Sequence, residues 1–567
     1  MNQPSSRLQV SKSPSLLLWL LPLFFLGAFY FFPLGKITQL SFARAEGGAW
    51  ASIRESFSSP TILKVVGFTF KQAFLSTLLT LVVGLPGAYL FGRFQFRGKK
   101  ILRALTGVPF VMPTLVVAAG FYALLGPTGW VNTLLIKILS LDAPPIQFVN
   151  SFAAILTAHV FYNTSIVLRI VGDYWSRLDP RLEKAARTLG AGRWDTLKEI
   201  TLPLLLPAVT AAALLVFIFD FTSFGVVLIL GGPLFATLEV EIYYQTISLF
   251  NLPLAATLSL LQVSFTLVLT MIYTRLTNRI NQPIQLSSQA TTQQPLTNRR
   301  NRVMAGILIG ALLIFLISPL VSLAGKSFTS AEGGSPFTLA FYRALGNNPQ
   351  ESIFYVPPTT ALGVSLGYGL ITVVLALALG LPAAWALSKK NLTWVDKLLD
   401  PVLMLPLGTS AVTLGLGFLV ALDTPPLDLR TSPLLVPIAH TLVAFPFVVR
   451  SLTPALASIQ PQLRQAAAVL GASPRQITRE IDLPLVGRAL LVAASFAFTI
   501  SIGEFGASSL ITRPEYPTVP VVIYRLLSRP GALNYGQAMA LSTILMAATL
   551  GGMLLMEYFR VGEVGEF

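Results

Sequence analysis

Long apolar segments alternate with short charged loops along the whole chain of 567 residues. A helix needs about 20 mostly apolar residues to cross a bilayer, so the pattern predicts about twelve spans. In the first half these spans lie near 16–35, 68–92, 104–126, 151–171, 204–230 and 252–274. In the second half they lie near 303–324, 360–387, 401–422, 433–451, 485–511 and 537–556. We therefore expect an all-α polytopic membrane protein.

Two polar segments with closely similar sequences interrupt this pattern. The first module (178–203) reads LDPRLEKAARTLGAGRWDTLKEITLP, and the second module (459–484) reads IQPQLRQAAAVLGASPRQITREIDLP, without a gap and at an offset of 281 positions (459 less 178). A proline, Pro180 or Pro461, suits the first turn of a helix. A glycine, Gly190 or Gly471, suits the left-handed residue just past a helix end. Each module therefore predicts a helix, a sharp turn and a second helix that leads into a span.

Both modules resemble the EAA loop of the permease subunits of binding-protein-dependent ABC importers. That loop has Glu-Ala-Ala, three residues, Gly, nine residues and Ile-x-Leu-Pro, and both modules keep every part of it except the glutamate. Lys184 and Gln465 stand at the glutamate position, so no contact of that carboxylate is carried over to this chain. The alternative interpretation of the modules is an ordinary amphipathic hairpin.

The resemblance implies a pair of type-1 permease halves whose modules each contact one copy of a separate ATPase. ATP and Mg²⁺ would bind that ATPase, and a solute-binding protein outside the cytoplasm would deliver the solute. The short side chains of the alanine pairs would allow close helix approach, and the glycines would set the angle of the turn. The residues expected to couple the chain to the ATPases are Leu182, Lys184, Ala185, Ala186, Gly190, Leu202, Pro203, Leu463, Gln465, Ala466, Ala467, Gly471, Leu483 and Pro484.

Composition narrows the class of protein further. Hydrophobic residues make up 54% and charged residues 11% of the chain, whereas charged residues make up about 25% of soluble proteins. A net charge of +16 would suggest a nucleic acid partner, but basic residues cluster in loops on one side of the predicted spans, as expected for loops facing the cytoplasm. We therefore expect a plasma (inner) membrane protein with both termini and both modules in the cytoplasm, in contact with lipid and with no nucleic acid.

The N-terminal apolar run has two interpretations. Arg7 and Lys12 precede it, and Ala43-Arg44-Ala45 could be a signal-peptide cleavage site. However, the run exceeds the usual apolar length of a signal peptide, and the site lies well beyond its end. A retained first span is the preferred interpretation.

The two halves correspond beyond the modules. Gly84-Leu85-Pro86 matches Gly380-Leu381-Pro382, His159 matches His440, Phe224-Gly225 matches Phe505-Gly506, and Ile242-Tyr243 matches Ile523-Tyr524. An even number of spans joins the halves, so this is a duplication in parallel orientation. The predicted domains are an N-terminal span and outer loop (1–67), a first permease half (68–275), a polar cytoplasmic linker (276–302), a span and outer loop (303–359), a second permease half (360–557) and a cytoplasmic tail (558–567).

Enzymatic machinery is not expected on this chain. Cysteine is absent, so thiol chemistry is excluded; histidine occurs only twice, so a His-rich metal site is not expected and no metal site is predicted. Gly325-Lys326-Ser327 resembles the end of a phosphate-binding loop, but Leu320 stands where its first glycine would be. A secondary transporter driven by an ion gradient is the alternative function, since it would also show repeats and intramembrane acids.

Two acids lie inside predicted spans, where charge is costly and often functional. Asp220 aligns with Ser501, and Glu504 aligns with Ser223, at the offset of the modules. We predict that these four residues lie along the pathway and that the acids attract a cationic solute. The alternative is that each acid caps a broken helix or pairs with an arginine. For the matched histidines we favour packing roles over a metal relay.

Thr-Ser-Phe-Gly (222–225) with Gly-Gly-Pro (231–233) in the first half and Gly-Glu-Phe-Gly (503–506) in the second are similar to segments of the fused permeases of the thiamine and ferric-iron importer group. This resemblance implies thiamine or ferric iron as the solute. Polyamine and oxyanion remain open alternatives.

Overall fold

The computed structural model describes residues 15–42, 58–280, 292–329, 337–347, 356–389, 392–423, 425 and 427–560. Within these ranges the chain is helical apart from turns, loops and one pair of two-residue strands. The Arg7, Lys12 and Ala43–Ala45 positions considered above lie outside the described residues.

The helices of the first half follow the duplicated order expected from the sequence. They are α1 (Ser15–Leu26), α2 (Phe32–Phe42), α3 (Pro60–Arg93), α4 (Lys99–Val111), α5 (Thr114–Leu125), α6 (Trp130–Leu139), α7 (Phe152–Arg177), α8 (Pro180–Thr188), α9 (Arg193–Thr196), α10 (Leu202–Phe221), α11 (Leu238–Ile247) and α12 (Leu252–Ile280). Single π-helical turns link α1 to α2 and α9 to α10.

The second half repeats most of this order, but among the described residues it has an additional short helix, Ala340–Ala344, and no counterpart of α6. Its helices are α13 (Arg299–Ser327), α14 (Ala340–Ala344), α15 (Pro358–Leu387), α16 (Trp394–Met404), α17 (Ala411–Ala421), α18 (Leu435–Ala457), α19 (Pro461–Val469), α20 (Pro474–Ile477), α21 (Leu483–Gly503), α22 (Gly506–Ile511), α23 (Val519–Leu527) and α24 (Ala532–Arg560).

Eleven helical segments in the described ranges are long and apolar enough to cross a membrane. Two further pairs, 227–234 with 238–247 and 394–408 with 411–421, qualify only together and bend by 79° and 94°. The span predicted at 401–422 is thus broken, because Ser410 accepts a hydrogen bond from the Thr413 N–H (3.0 Å) and starts a new helix there. The protein is an all-α polytopic membrane protein, as the apolar pattern predicts.

The first helix of each half packs on the opposite half. Helices α1 and α2 lie against α15 and α17 of the second half, and α13 lies against α5 of the first half as well as α24 of its own half. Trp19 Nε1 donates to Asp396 Oδ1 at 2.9 Å, and the Tyr30 hydroxyl lies 2.7 Å from Thr409 Oγ1. The halves are therefore interlocked through both apolar packing and buried hydrogen bonds.

The end of the linker contacts the first half. Helix α12 continues to Ile280, residues 281–291 lie outside the described ranges, and strand Gln294–Pro295 pairs in parallel with Phe94–Gln95. Gln293 Nε2 donates to the Gly92 carbonyl at 3.3 Å. This contact lies beside the loop that joins α3 to α4.

Candidate functional site

The two modules adopt the predicted helix–turn–helix geometry. Helices α8 and α19 begin with Pro180 and Pro461 at the first helical position. Gly190 and Gly471 have φ of +94° and +88°, which confirms the predicted left-handed turn residues. Both modules therefore turn the chain in the same way before the long helices α10 and α21.

The side chains expected to meet an ATPase lie mostly on the surface. Leu189 and Leu470, the last residues before the two glycines, are 88% and 87% exposed. Leu182, Lys184, Ala185, Leu202 and Pro203 are exposed and Ala186 is half-buried, and the same pattern holds for Leu463, Gln465, Ala466, Leu483, Pro484 and Ala467. Within the described part of the chain, each module thus leaves an apolar surface uncovered, as a docking helix would.

A polar contact ties each short helix to the start of the following long helix. In the first module, Thr201 Oγ1 donates to Glu183 Oε1 at 2.7 Å, and Arg93 also contacts Glu183. In the second module, Arg464 Nε donates to Asp482 Oδ1 at 2.8 Å. We refer to these contacts as the module clips.

The clips occupy corresponding positions but use different chemistry. Glu183 aligns with Arg464 and Thr201 aligns with Asp482, so the carboxylate changes sides between the halves. The sequence interpretation missed these four residues because it followed the motif positions alone. The sequence does contain a sign of these contacts: the two residues of each pair can form a hydrogen bond, and they are 18 positions apart in both modules.

The first acid lies in a buried network inside its own half. Asn163 Nδ2 donates to Asp220 Oδ1 at 2.7 Å, and His159 Nδ1 lies 3.5 Å from the same oxygen. The two ring nitrogens of His159 are also within hydrogen-bond distance of Ser76 Oγ (3.0 Å) and Ser223 Oγ (2.8 Å). Helices α3, α7 and α10 thus meet at this network, which contains two of the predicted pathway residues.

The second network has the same plan with the acid moved by three residues. His440 contacts Ser501 Oγ (2.8 Å), Ser508 Oγ (2.8 Å) and Glu504 Oε2 (3.1 Å). Glu504 accepts the N–H groups of Ala507 (2.8 Å) and Ser508 (3.1 Å), so it caps α22 after the break that follows α21. The capping alternative thus describes the geometry of Glu504. Attraction of a cationic solute by the two acids stays a prediction.

Four aromatic rings at corresponding positions meet between the halves. Phe224 stacks on Phe505 with ring centroids 5.3 Å apart and planes 20° apart, and Tyr243 meets Tyr524 edge-on at 6.5 Å. Residues related by the duplication contact each other, so the pseudo-two-fold axis passes between these rings. We call this group the axial aromatic cluster. These positions correspond between the halves in the sequence, which does not show that they meet.

Comparison with known proteins assigns the family. The sequence profile of the binding-protein-dependent transport system inner membrane component matches this chain twice, at residues 84–282 and 376–560. These two segments cover about two thirds of the chain and correspond to the two duplicated halves.

Individual relatives match along nearly the whole length. The thiamine transport system permease protein ThiP of Salmonella typhimurium is 26% identical over 508 residues, covering 89% of this chain and 90% of its own. ThiP of Brucella abortus strain 2308 is 27% identical, with 91% of both chains covered. A probable ABC transporter permease, y4fN of Sinorhizobium fredii, is 28% identical and covers 87% of this chain and 86% of its own.

A solved bacterial ABC transporter involved in the import of the acidic polysaccharide alginate also matches, with 19% identity and a TM-score of 0.40 over 47% of this chain and 96% of its own. The matched relatives are transport permeases, and none supports the secondary-transporter alternative. The two matched segments, one in each half, contain both modules and the long helices around them. The chain belongs to the family of binding-protein-dependent transport system inner membrane components and is a fused, two-half permease of an ABC importer.

Proposed function

We propose that this chain forms the pathway by which thiamine enters the cytoplasm, delivered by a solute-binding protein and driven by two copies of an ATPase. The names of the full-length relatives support thiamine over ferric iron. The observation that carries the ATPase assignment is the pair of exposed apolar module ends, Leu189 and Leu470, at corresponding positions of the two halves. ATP and Mg²⁺ would bind the ATPases, not this chain.

The structure supports a route by which ATPase movement would reach the solute pathway. Each clip joins a surface helix to a long helix, α10 or α21, of 20 or 21 residues. At 1.5 Å per residue such a helix spans about 30 Å, the thickness of the hydrocarbon core. Its far end carries a buried network and then one ring of the stacked pair, Phe224 or Phe505. A rotation imposed at a module would therefore move a ring at the axis.

The proposed orientation places both modules and both termini in the cytoplasm. The loop after α3, the start of α4 and the first module are rich in basic residues, including Arg97, Lys100, Arg187, Arg193 and Lys198. Loops with excess lysine and arginine stay preferentially on the cytoplasmic side. The same orientation would expose both clips to the compartment that holds ATP.

The first test is purification of the tagged chain from its own host in mild detergent, with mass spectrometry of the bound proteins and their stoichiometry. Two ATPase subunits per chain are expected. A variant with Leu189→Asp and Leu470→Asp should lose them, because each substitution places a charge in the apolar contact. Leu249→Asp is the matched control, since Leu249 is an exposed leucine (62%) in the loop between α11 and α12, remote in sequence from both modules. Full ATPase recovery with the double variant would contradict the assignment of the modules.

The solute is tested separately. Host cells lacking this chain should lose ATP-dependent uptake of radiolabelled thiamine, and the chain on a plasmid should restore it. Uptake of radiolabelled ferric iron, measured in the same cells, distinguishes the second solute. Restoration of iron uptake alone would replace thiamine by iron without affecting the ATPase assignment. Thiamine uptake that follows an ion gradient and needs no ATP would contradict the importer mechanism.

A further inference from the structure

The four rings of the axial aromatic cluster contact one another in a closed circuit. Besides the two contacts across the axis, Phe224 lies 5.4 Å from Tyr243 and Phe505 lies 5.5 Å from Tyr524, measured between ring centroids. Each ring therefore contacts two others, and the four contacts form a complete circuit. Centroid separations of 4.5–7 Å are those of aromatic rings in direct contact, so no solute fits between the halves at this level.

The stacked pair is held by rigid groups on both sides. Ser223, adjacent to Phe224, is hydrogen-bonded to His159, and Glu504, adjacent to Phe505, caps α22. Gly225 permits the close approach of the rings, because a Cβ there would lie 2.6 Å from Thr114 Oγ1 and 3.3 Å from the Phe505 ring. The chain on either side of the stacked pair is therefore anchored within its own half.

The chemistry at the axis differs from the chemistry behind it. Asp220 and Glu504 are buried and bonded within their own halves. At the axis the two halves meet through aromatic rings. The half-buried Arg525 follows Tyr524 in the second half, and Tyr244 occupies the corresponding position of the first half. Aromatic faces stack on flat heteroaromatic rings, and they also attract organic cations.

We propose that Phe224, Tyr243, Phe505 and Tyr524 form the gate of the translocation pathway and, once parted, recognise the solute by stacking on a planar heteroaromatic ring. This inference rests on the proposed import function and specifies its solute class. Thiamine carries two such rings, whereas hydrated or chelated iron carries none of its own. In this proposal the four rings close the pathway in the present structure and contact the solute during passage.

Recognition is tested by uptake of radiolabelled thiamine in the host, at equal levels of the chain. Phe505→Leu removes a ring and nearly keeps the volume, and should lower the initial rate by about 5- to 100-fold, the equivalent of one lost base–aromatic stacking contact. Phe505→Tyr keeps the ring and should transport near the wild-type rate. Tyr535→Leu is the matched control, because Tyr535 contacts Tyr122 across the halves at 5.6 Å but has no duplicated counterpart at the axis.

The gate is tested without transport. Proteoliposomes containing the purified complex are loaded with radiolabelled thiamine and kept free of ATP. The wild type should retain the label, and a variant with Phe224→Ala and Phe505→Ala should release it, because both stacked rings are shortened to a methyl group. Retention by this variant, once its folding is verified by co-purification of the ATPases, overturns the gate.

The failures are distinguishable. No thiamine uptake by the wild type overturns the proposed solute and stacking recognition together, while leakage still decides the gate. Normal thiamine uptake by both the wild type and Phe505→Leu leaves the proposed function intact and overturns recognition by stacking. Loss of uptake in Phe505→Leu and Tyr535→Leu alike also overturns it, since any aromatic contact between the halves would then suffice.

Discussion

The clip of the second module gives a prediction whose size can be worked from the structure. Arg464 Nε lies 2.8 Å from Asp482 Oδ1, and the aspartate side chain is 2% exposed while the arginine side chain is 35% exposed. Opposite charges about 4 Å apart attract by about 4 kcal/mol at an effective dielectric constant near 20. Partial exposure of Arg464 reduces the net contribution to about 1–3 kcal/mol.

Arg464→Ala leaves a buried carboxylate without this partner, so α19 should separate from the start of α21. A loss of about 1–3 kcal/mol corresponds to roughly 5- to 150-fold in the population of the docked arrangement. The expected result is weak solute uptake although both ATPases still bind, because the apolar docking surface is intact. Uptake and ATP hydrolysis are measured together in proteoliposomes, and the number of solutes imported per ATP should fall.

The first half supplies a rescue for this variant. Arg464→Glu alone faces the Asp482 carboxylate and should be more damaging than alanine. Adding Asp482→Thr reproduces the Glu183–Thr201 pair of the first module, and Lys389 stands where the first half has Arg93. The double variant should recover most of the coupling, with an interaction energy of about 1–3 kcal/mol in the double-mutant cycle. A double variant no better than Arg464→Glu, or full uptake by Arg464→Ala, would refute this account of the clip.

Two further predictions concern the turn and the acids. Gly190→Ala should cost about 1–2 kcal/mol of local stability because alanine is strained at a φ of +94°, even though nothing lies within 4 Å of the added Cβ. The unfolding temperature and the rate of uptake should both fall. The control is Gly306→Ala, in the interior of α13 with equal space, which should be neutral or stabilising. Replacing both acids, with Asp220→Asn and Glu504→Gln, should strongly reduce uptake while ATPase co-purification is retained. Unchanged uptake by this pair would exclude a role for the acids in transport.

The sequence predicts those features that depend on local composition and spacing. Apolar length gives the spans, and the requirement of a left-handed turn for glycine gives the geometry at Gly190 and Gly471. It does not predict which spans are neighbours, because apolar surfaces pack on many partners with similar energy. The exchange of α1 and α13 between the halves therefore follows only from the structure, as does the bend at Ser410, where a hydroxyl cap interrupts an apolar run.

The central cluster shows a different limit of sequence reasoning. The matches of Phe224 with Phe505 and of Tyr243 with Tyr524 are visible at the offset of the modules. A match between repeats shows that two positions are equivalent, but equivalent positions meet only if they lie on the symmetry axis. Their distance from that axis depends on how the two helix bundles tilt and pack against each other. The apolar periodicity within one half gives no information about this packing.

The two halves are not interchangeable, because corresponding positions carry different side chains. Asp220 corresponds to Ser501, Ser223 corresponds to Glu504, and the carboxylate of the clip is on opposite members of the pair in the two halves. A dimer of identical halves would hold either two copies of Asp220 or two copies of Glu504, and two identical clips. Fusion fixes one of each and, through the exchanged first helices, ties each half to its unlike partner. The two sides of the axis are therefore chemically different, whereas the modules on which the proposed ATPases would act are nearly symmetric.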